Sequence, residues 1–122
     1  MISLDTRNHE PIYIQIEKQI IKMIRLGVYE SNSPLPSVRA MACELGINPN
    51  TVARTYKSLE AQGIIYTIVG KGVFVSENND NQLKRIAVDQ MKKALLEAKV
   101  SGIDKNDALE IVNTVWEEKS ND

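Results

Sequence analysis

From Pro11 to Leu26 apolar residues recur at Ile12, Ile16, Ile20, Met23 and Ile24, mostly three or four apart, and Gly27 follows. That spacing predicts a first helix closed by a glycine. A second, short helix is expected after Ser37, with Val38, Met41, Ala42 and Leu45 as its apolar stripe. Ser37 suits its N-cap, and Gly46 suits the left-handed position that ends it. A third helix starts at Asn48, with Pro49 at the first helical position, where a missing N–H costs nothing. At about 100° per residue Val52, Thr55, Tyr56 and Leu59 share one side of it. Asn50, Arg54 and Lys57 fall on the other, and Ala61 continues their line.

The period then changes. After Gly63 comes a β-branched run, Ile64-Ile65-Tyr66-Thr67-Ile68-Val69, which Gly70-Lys71-Gly72 turns back into Val73-Phe74-Val75. This predicts a two-stranded hairpin with a basic, glycine-flanked tip. Met1 to Leu4 are expected to add a short strand, with Asp5 to Glu10 and Val28 to Leu35 as loops and Ser76 to Gln82 as a polar linker. A helix from about Leu83 to Val100 follows, with Leu83, Ile86, Ala87, Met91, Ala94, Leu95 and Ala98 as its stripe. Ser101-Gly102 breaks it. Asp104 caps a last helix, Lys105 to Lys119, with Ala108, Ile111, Val112, Val115 and Trp116 on one side.

The fold class expected is therefore mainly α with a small β-hairpin wing. Residues 1–76 form a winged helix-turn-helix domain, and 77–122 a two-helix tail. Two short helices joined by a tight Gly-Ile-Asn turn make a helix-turn-helix whose second helix is the reader. The first helix roofs this core, with Tyr13 and Gln15 helping it to dock. Two amphipathic helices of the tail's size cannot bury both stripes in isolation. A second copy of the chain is the natural cover, which makes Leu83, Ile86, Ala87, Met91, Ala94, Leu95, Ala98, Ile111, Val112, Val115 and Trp116 the expected dimer interface. A pocket for a small-molecule effector around Met91 and Trp116 is the rarer alternative to plain packing at such spacing.

Charge sharpens this picture. The net charge of −1 divides unevenly: residues 1–76 carry 8 Lys/Arg against 6 Asp/Glu, and residues 77–122 carry 7 against 10. The basic excess lies on the winged part and is mild for a nucleic-acid domain, so affinity must rest on a few placed residues and on two copies acting together. The lone Cys43 excludes an internal disulfide, and it lies about 140° from Val38 on the helix wheel, toward solvent. His9 is the single histidine and has no further ligands to recruit, so no metal or other cofactor is expected. Neither residue sits in an activating motif, and Gly70-Lys71-Gly72 does not open a helix as a phosphate loop would. An enzyme is excluded. No stretch is long enough to span a membrane and no signal peptide opens the chain, so a cytoplasmic protein is expected.

Leu35-Pro36-Ser37-Val38-Arg39, Asn48-Pro49-Asn50-Thr51-Val52, Leu59-Glu60, Gly63 and Gly70-Lys71-Gly72-Val73-Phe74-Val75 occur in order. In this the chain resembles the GntR family of bacterial transcription regulators. Pro11-Ile12-Tyr13-Ile14-Gln15-Ile16 and the short tail resemble its YtrA-type subgroup, in which there is no room for a large effector domain. Glu30-Ser31-Asn32-Ser33 stands where that family usually has a Pro-Gly turn. The resemblance implies a sequence-specific, homodimeric repressor on an inverted-repeat operator of double-stranded DNA, and control of transporter or envelope-stress operons. It also implies that Arg39 contacts DNA; its bland competitor is an ion pair with Glu44.

Residue chemistry adds the rest. Asn50 pairs bidentately with adenine and Arg54 with guanine, while Asn48, Thr51 and Lys57 suit phosphate. Ser37 and Pro49 start the two helices, and Gly70, Lys71 and Gly72 bring the wing to the minor groove, although those glycines also serve the turn alone. The competing reading from another class is a winged-helix module that binds protein and retains no duplex DNA.

Overall fold

In a computed structural model, which describes residues 2–77 and 79–118, the apolar spacing around Ile16 and Ile20 forms α1 (Ile12–Arg25). Pro11 fills its N-cap, and the Pro11 carbonyl accepts from the Ile14 and Gln15 N–H groups at 3.1 Å each. α2 (Val38–Leu45) begins at Ser37, whose hydroxyl oxygen accepts from the Ala40 N–H at 3.0 Å. It ends at Gly46, with φ at 67°. There the Ile47 N–H reaches back to the Ala42 carbonyl at 3.1 Å, closing the turn before the next helix. α3 (Pro49–Ala61) starts at Asn48, whose side-chain oxygen accepts from the Asn50 N–H at 2.8 Å. β1 (Ile65–Ile68) and β2 (Gly72–Val75) pair antiparallel, with Ile65 opposite Val75 and Ile68 opposite Gly72. α4 (Asp80–Val100) and α5 (Lys105–Glu117) follow, the second capped by Asp104 on the Asp107 N–H at 2.9 Å. Residue 119, expected to end this helix, lies outside the described residues.

The chain divides into two compact units, Met1–Leu83 and Lys84–Asp122. In the first, α1 and α2 both pack against α3. Ile16, Ile20, Val52, Leu59, Ile64 and Val75 are fully buried between them. Each such side chain contributes about 1.5–3 kcal/mol of burial, so this shared core is the main force holding α3 in place. Directional contacts then set its position. The buried Thr55 hydroxyl lies 3.0 Å from the Tyr13 carbonyl of α1, and the Glu17 carboxylate accepts from Ser58 Oγ at 3.2 Å and from Gln62 Nε2. Tyr56 donates its phenol to the Pro36 carbonyl at 2.7 Å, tying α3 to the residue just ahead of the α2 cap.

Several expectations are corrected. Residues 2–4 form no strand; the Ser3 backbone instead meets the Gln19 side-chain amide. Gln15 is buried, but it serves the N-terminal loop rather than docking α1, donating to the Asp5 and Glu10 carbonyls and accepting from the Asp5 N–H. The loop before α2 is partly a third sheet edge. Asn32 N–H donates to the Val75 carbonyl at 2.8 Å, Val75 N–H to Ser33 at 3.0 Å, and Leu35 N–H to Val73 at 2.8 Å. Asn32 holds φ at 63°, the conformation usually given to glycine, and its side chain accepts from the Tyr66 phenol at 3.0 Å. Tyr66 in turn stacks on Phe74 with ring centroids 5.6 Å apart.

The linker is shorter than expected. Asn79 accepts the first helical bond from the Leu83 N–H at 2.9 Å, and α4 is under way at Asp80. Leu83, expected at the dimer interface, is only 7% exposed, and Arg25 donates to its carbonyl at 3.2 Å. It is spent inside the first unit, which therefore runs past the boundary expected at residue 76.

Two stability predictions follow from the contacts around α2. Gly46→Ala meets open space but must hold a left-handed backbone, so chemical denaturation is expected to show a loss of about 1 kcal/mol from backbone strain alone. Tyr56→Phe removes the bond to the Pro36 carbonyl and is expected to cost about 1 kcal/mol. Burial, and secondarily Tyr29 nearby, raises the Tyr56 pKa well above the ordinary 10.0. The neutral phenol is thus the form the fold favours; its contribution is complete below pH 10 and declines as pH rises beyond it. Alkaline urea titrations should show that decline in the native chain and a smaller one in Tyr56→Phe.

Candidate nucleic-acid interface

Burial divides α3 as its wheel requires. Val52, Thr55, Tyr56 and Leu59 are buried, whereas Asn50, Ala53, Arg54, Lys57 and Ala61 are exposed. Arg39 on α2 and Lys71 at the wing tip are exposed as well. Among the described residues the one ion pair is Lys18 with Glu10, at 2.5 Å. The Arg39–Glu44 pair set against DNA contact is therefore not formed, and the cations of this unit that face outward on α2, α3 and the wing have no carboxylate partner among the described residues.

The two helix starts do structural work with atoms that leave others available. The Ser37 hydroxyl oxygen accepts from Ala40 N–H, and its own proton has no acceptor among the described residues. The Asn48 side-chain oxygen accepts from Asn50 N–H, while its NH2 group makes no bond among the described residues. Pro49 sits at the first helical position with no N–H to satisfy. Both helices thus present backbone N–H groups and short polar side chains at their N-termini, the ordinary furniture of a phosphate contact. At the wing tip Lys71 N–H donates to the Ile68 carbonyl at 2.9 Å. Gly70 and Gly72 hold φ at 81° and 128°, and a Cβ at either would meet nothing within 4 Å. The turn's backbone, rather than crowding, explains the glycines. Val69 beside them is 95% exposed, an apolar residue at the tip and not within the strand that its β-branched run predicts.

One residue outside the expected set belongs here. Tyr13, at the start of α1, lies under Arg54, with the guanidinium carbon 3.8 Å from the ring centroid. Ile12, Tyr13, Asn50, Thr51 and Arg54 line a shallow hollow of about 380 Å³. The signal for Tyr13 was its place off the Ile12–Ile16–Ile20 stripe of its helix. Near Glu44 of α2, Tyr29 has a raised pKa, first through burial and then through that carboxylate. No group of three His, Cys, Asp or Glu stands close enough to hold a metal ion among the described residues, and Cys43 is exposed.

In the second unit the expected interface residues stay uncovered. Ile86, Ala98 and Val112 are half-buried; Ala87, Met91, Ala94, Leu95, Ile111, Val115 and Trp116 are exposed. Met91 is 44% and Trp116 72% exposed, so no effector pocket closes around them within one chain. A cleft of about 430 Å³ opens elsewhere, lined mainly by Leu95, Ala98, Ile103 and Ala108 between the ends of α4 and α5. No described helix is long and apolar enough to cross a membrane.

The model of the bacterial regulatory proteins of the gntR family matches residues 12–75, more than half of the chain. The chain is 37% identical over 108 residues to the HTH-type transcriptional repressor YtrA of Bacillus subtilis (strain 168), covering 85% of this chain and 83% of that protein. A solved GntR family transcriptional regulator from Listeria monocytogenes superposes with a TM-score of 0.72 at 34% identity, covering 91% of this chain and 98% of that one. The DNA-binding domain of AraR, solved in complex with operator ORE1, shares the fold with a TM-score of 0.54 at 24% identity, over 62% of this chain and 93% of its own. Residues 12–75 are the segment in which α1 and α2 hold α3 against the hairpin, and on that match the chain belongs to the GntR family of bacterial regulatory proteins, as a transcription regulator and not an enzyme.

Proposed function

We propose that the chain is a homodimeric repressor that binds an inverted-repeat operator, each protomer reading one half-site with α3 in the major groove. The observation that carries this is the split of α3: one side is sunk in the core, while Asn50, Arg54 and Lys57 on the other are exposed and have no carboxylate partner among the described residues. Asn50 and Arg54 read bases, an amide matching adenine and a guanidinium matching guanine. Arg39, Ser37, Asn48, Thr51 and Lys57 position the helix on phosphates, the N-terminus of α3 at Pro49 faces the backbone, and Gly70-Lys71-Gly72 brings the wing to the adjacent minor groove. The repressor activity of YtrA and the operator-bound fold of AraR support this reading.

Dimerisation rests on the second unit. Met91, Leu95, Leu96, Val100, Ile111, Val115 and Trp116 all stay more than two-fifths exposed, an apolar load a single chain leaves in water. With Ile86, Ala87, Ala94, Ala98 and Val112 they form the surface that a second copy covers, and Met91 and Trp116 serve that packing rather than a ligand pocket. The modest charge of the winged unit fits two weak readers acting together.

Selection of bound sequences from a random duplex pool at near-physiological salt tests the reading. An enriched inverted repeat with half-sites about one helical turn apart is expected. Retention without an enriched motif would instead mark a nonspecific binder, and no retention would mark a protein-binding module. On the enriched duplex, Arg54→Ala is expected to lose about 1–3 kcal/mol and to relax the preference at one base pair. Arg39→Ala should weaken all duplexes alike and lower the salt slope by about 1. Sedimentation equilibrium at micromolar concentration should give a dimer, and Leu95→Glu a monomer whose winged unit still melts cooperatively.

A further inference from the structure

Arg54 is the longest side chain on the outward face of α3, and long exposed arginines lose the most rotamer freedom when they pair with a base. Here that freedom is already curtailed. The guanidinium carbon lies 3.8 Å from the centroid of the Tyr13 ring, within the range in which a cation is held over an aromatic face. Tyr13 is itself held: its carbonyl is 3.0 Å from the hydroxyl of the fully buried Thr55, one residue along α3 from Arg54. That contact fixes the Tyr13 backbone against α3, so the residue that carries the ring and the side chain beneath which it lies are both placed by the same helix. Stacking uses only the flat face of a guanidinium. Its five N–H donors lie at the edge, and among the described residues Arg54 makes no hydrogen bond and no ion pair that would occupy them.

We propose that Tyr13 is a specificity-determining positioning residue. Its ring preorganises the Arg54 guanidinium so that the two-pronged N–H edge faces the base pair it reads, and α1 thereby contributes to base discrimination without touching the base. The inference rests on the proposed reading of DNA by α3. It assigns the effect to the aromatic face and not to the phenol, whose oxygen has no part in the stack. Asn50 and Thr51, which line the same hollow, border the stacked pair on its α3 side.

The test uses the full chain and two duplexes: the enriched repeat and the same repeat altered at the base pair where Arg54→Ala loses its preference. Binding ratios between the two are measured for wild type, Tyr13→Phe, Tyr13→Leu, and Tyr13→Leu combined with Arg54→Ala. Tyr13→Phe is expected to keep the wild-type ratio. Tyr13→Leu should lower it by about two- to five-fold, while affinity for unrelated duplex changes little. In the Arg54→Ala background Tyr13→Leu should have no further effect on the ratio. A loss in Tyr13→Phe would overturn the inference in favour of a direct phenol contact with DNA, and so would an equal loss on every duplex, which a merely structural role would produce. An unchanged ratio in Tyr13→Leu would also overturn it, leaving the reading by α3 intact. Should wild type itself show no preference between duplexes, the proposed function fails first and the inference with it. The Tyr13→Phe variant preserves the packing volume, so a folding defect in Tyr13→Leu leaves the phenol-versus-ring question decidable, and the double variant compares chains carrying the same defect.

Discussion

Everything this protein offers to DNA depends on how firmly one side of α3 is buried. Val52, Thr55, Tyr56 and Leu59 lie between α1 and α2, and the buried Thr55 hydroxyl and Tyr56 phenol meet main-chain carbonyls at Tyr13 and Pro36. Apolar burial supplies the energy, but it is nearly indifferent to small rotations of the helix. The two hydroxyl contacts and the Glu17 carboxylate on Ser58 are not indifferent, because a misplaced helix would strand buried polar groups. A rigid inner face is what makes an outer face of three polar side chains worth reading as a pattern at all.

Periodicity made the helices legible. The alternation of buried and outward positions on α3 follows from a wheel, and Ser37, Asn48, Asp104 and Gly46 announced their caps because each is the residue type that satisfies or permits the local backbone. The hairpin and its glycine tip were legible for the same reason. What stayed hidden has no period. Residues 32–35 pair with β2 although Pro34 interrupts the run, and the positive φ at Asn32 replaces a glycine that a motif search would look for. Leu83 continued an apolar stripe so well that nothing local could show its partner to be the first unit. Tyr13 stands off the apolar stripe of α1, but its relation to Arg54 spans two helices and depends on their packing, which a single wheel does not carry.

The contrast between the units carries its own physical message. The first encloses a set of fully buried aliphatic side chains, whereas no residue of α5 is buried and Trp116 stands largely in water. Helices with such stripes reach a stable arrangement only by covering them. In the proposed dimer, two winged units held together would need fewer charges per unit, which accords with a net charge of −1 over the whole chain.

The most direct measurement is an NMR titration of the isotope-labelled chain with its enriched duplex, followed residue by residue. Shift changes are expected to concentrate at Arg39, at the α3 N-terminus through Lys57, and at the Gly70–Gly72 tip, with Val52 and Leu59 little moved and the tail helices quiet. Shifts centred on α4 and α5, or on the outer side of α1 away from Tyr13, would contradict it, because the buried side of α3 would then be holding a surface that DNA does not use.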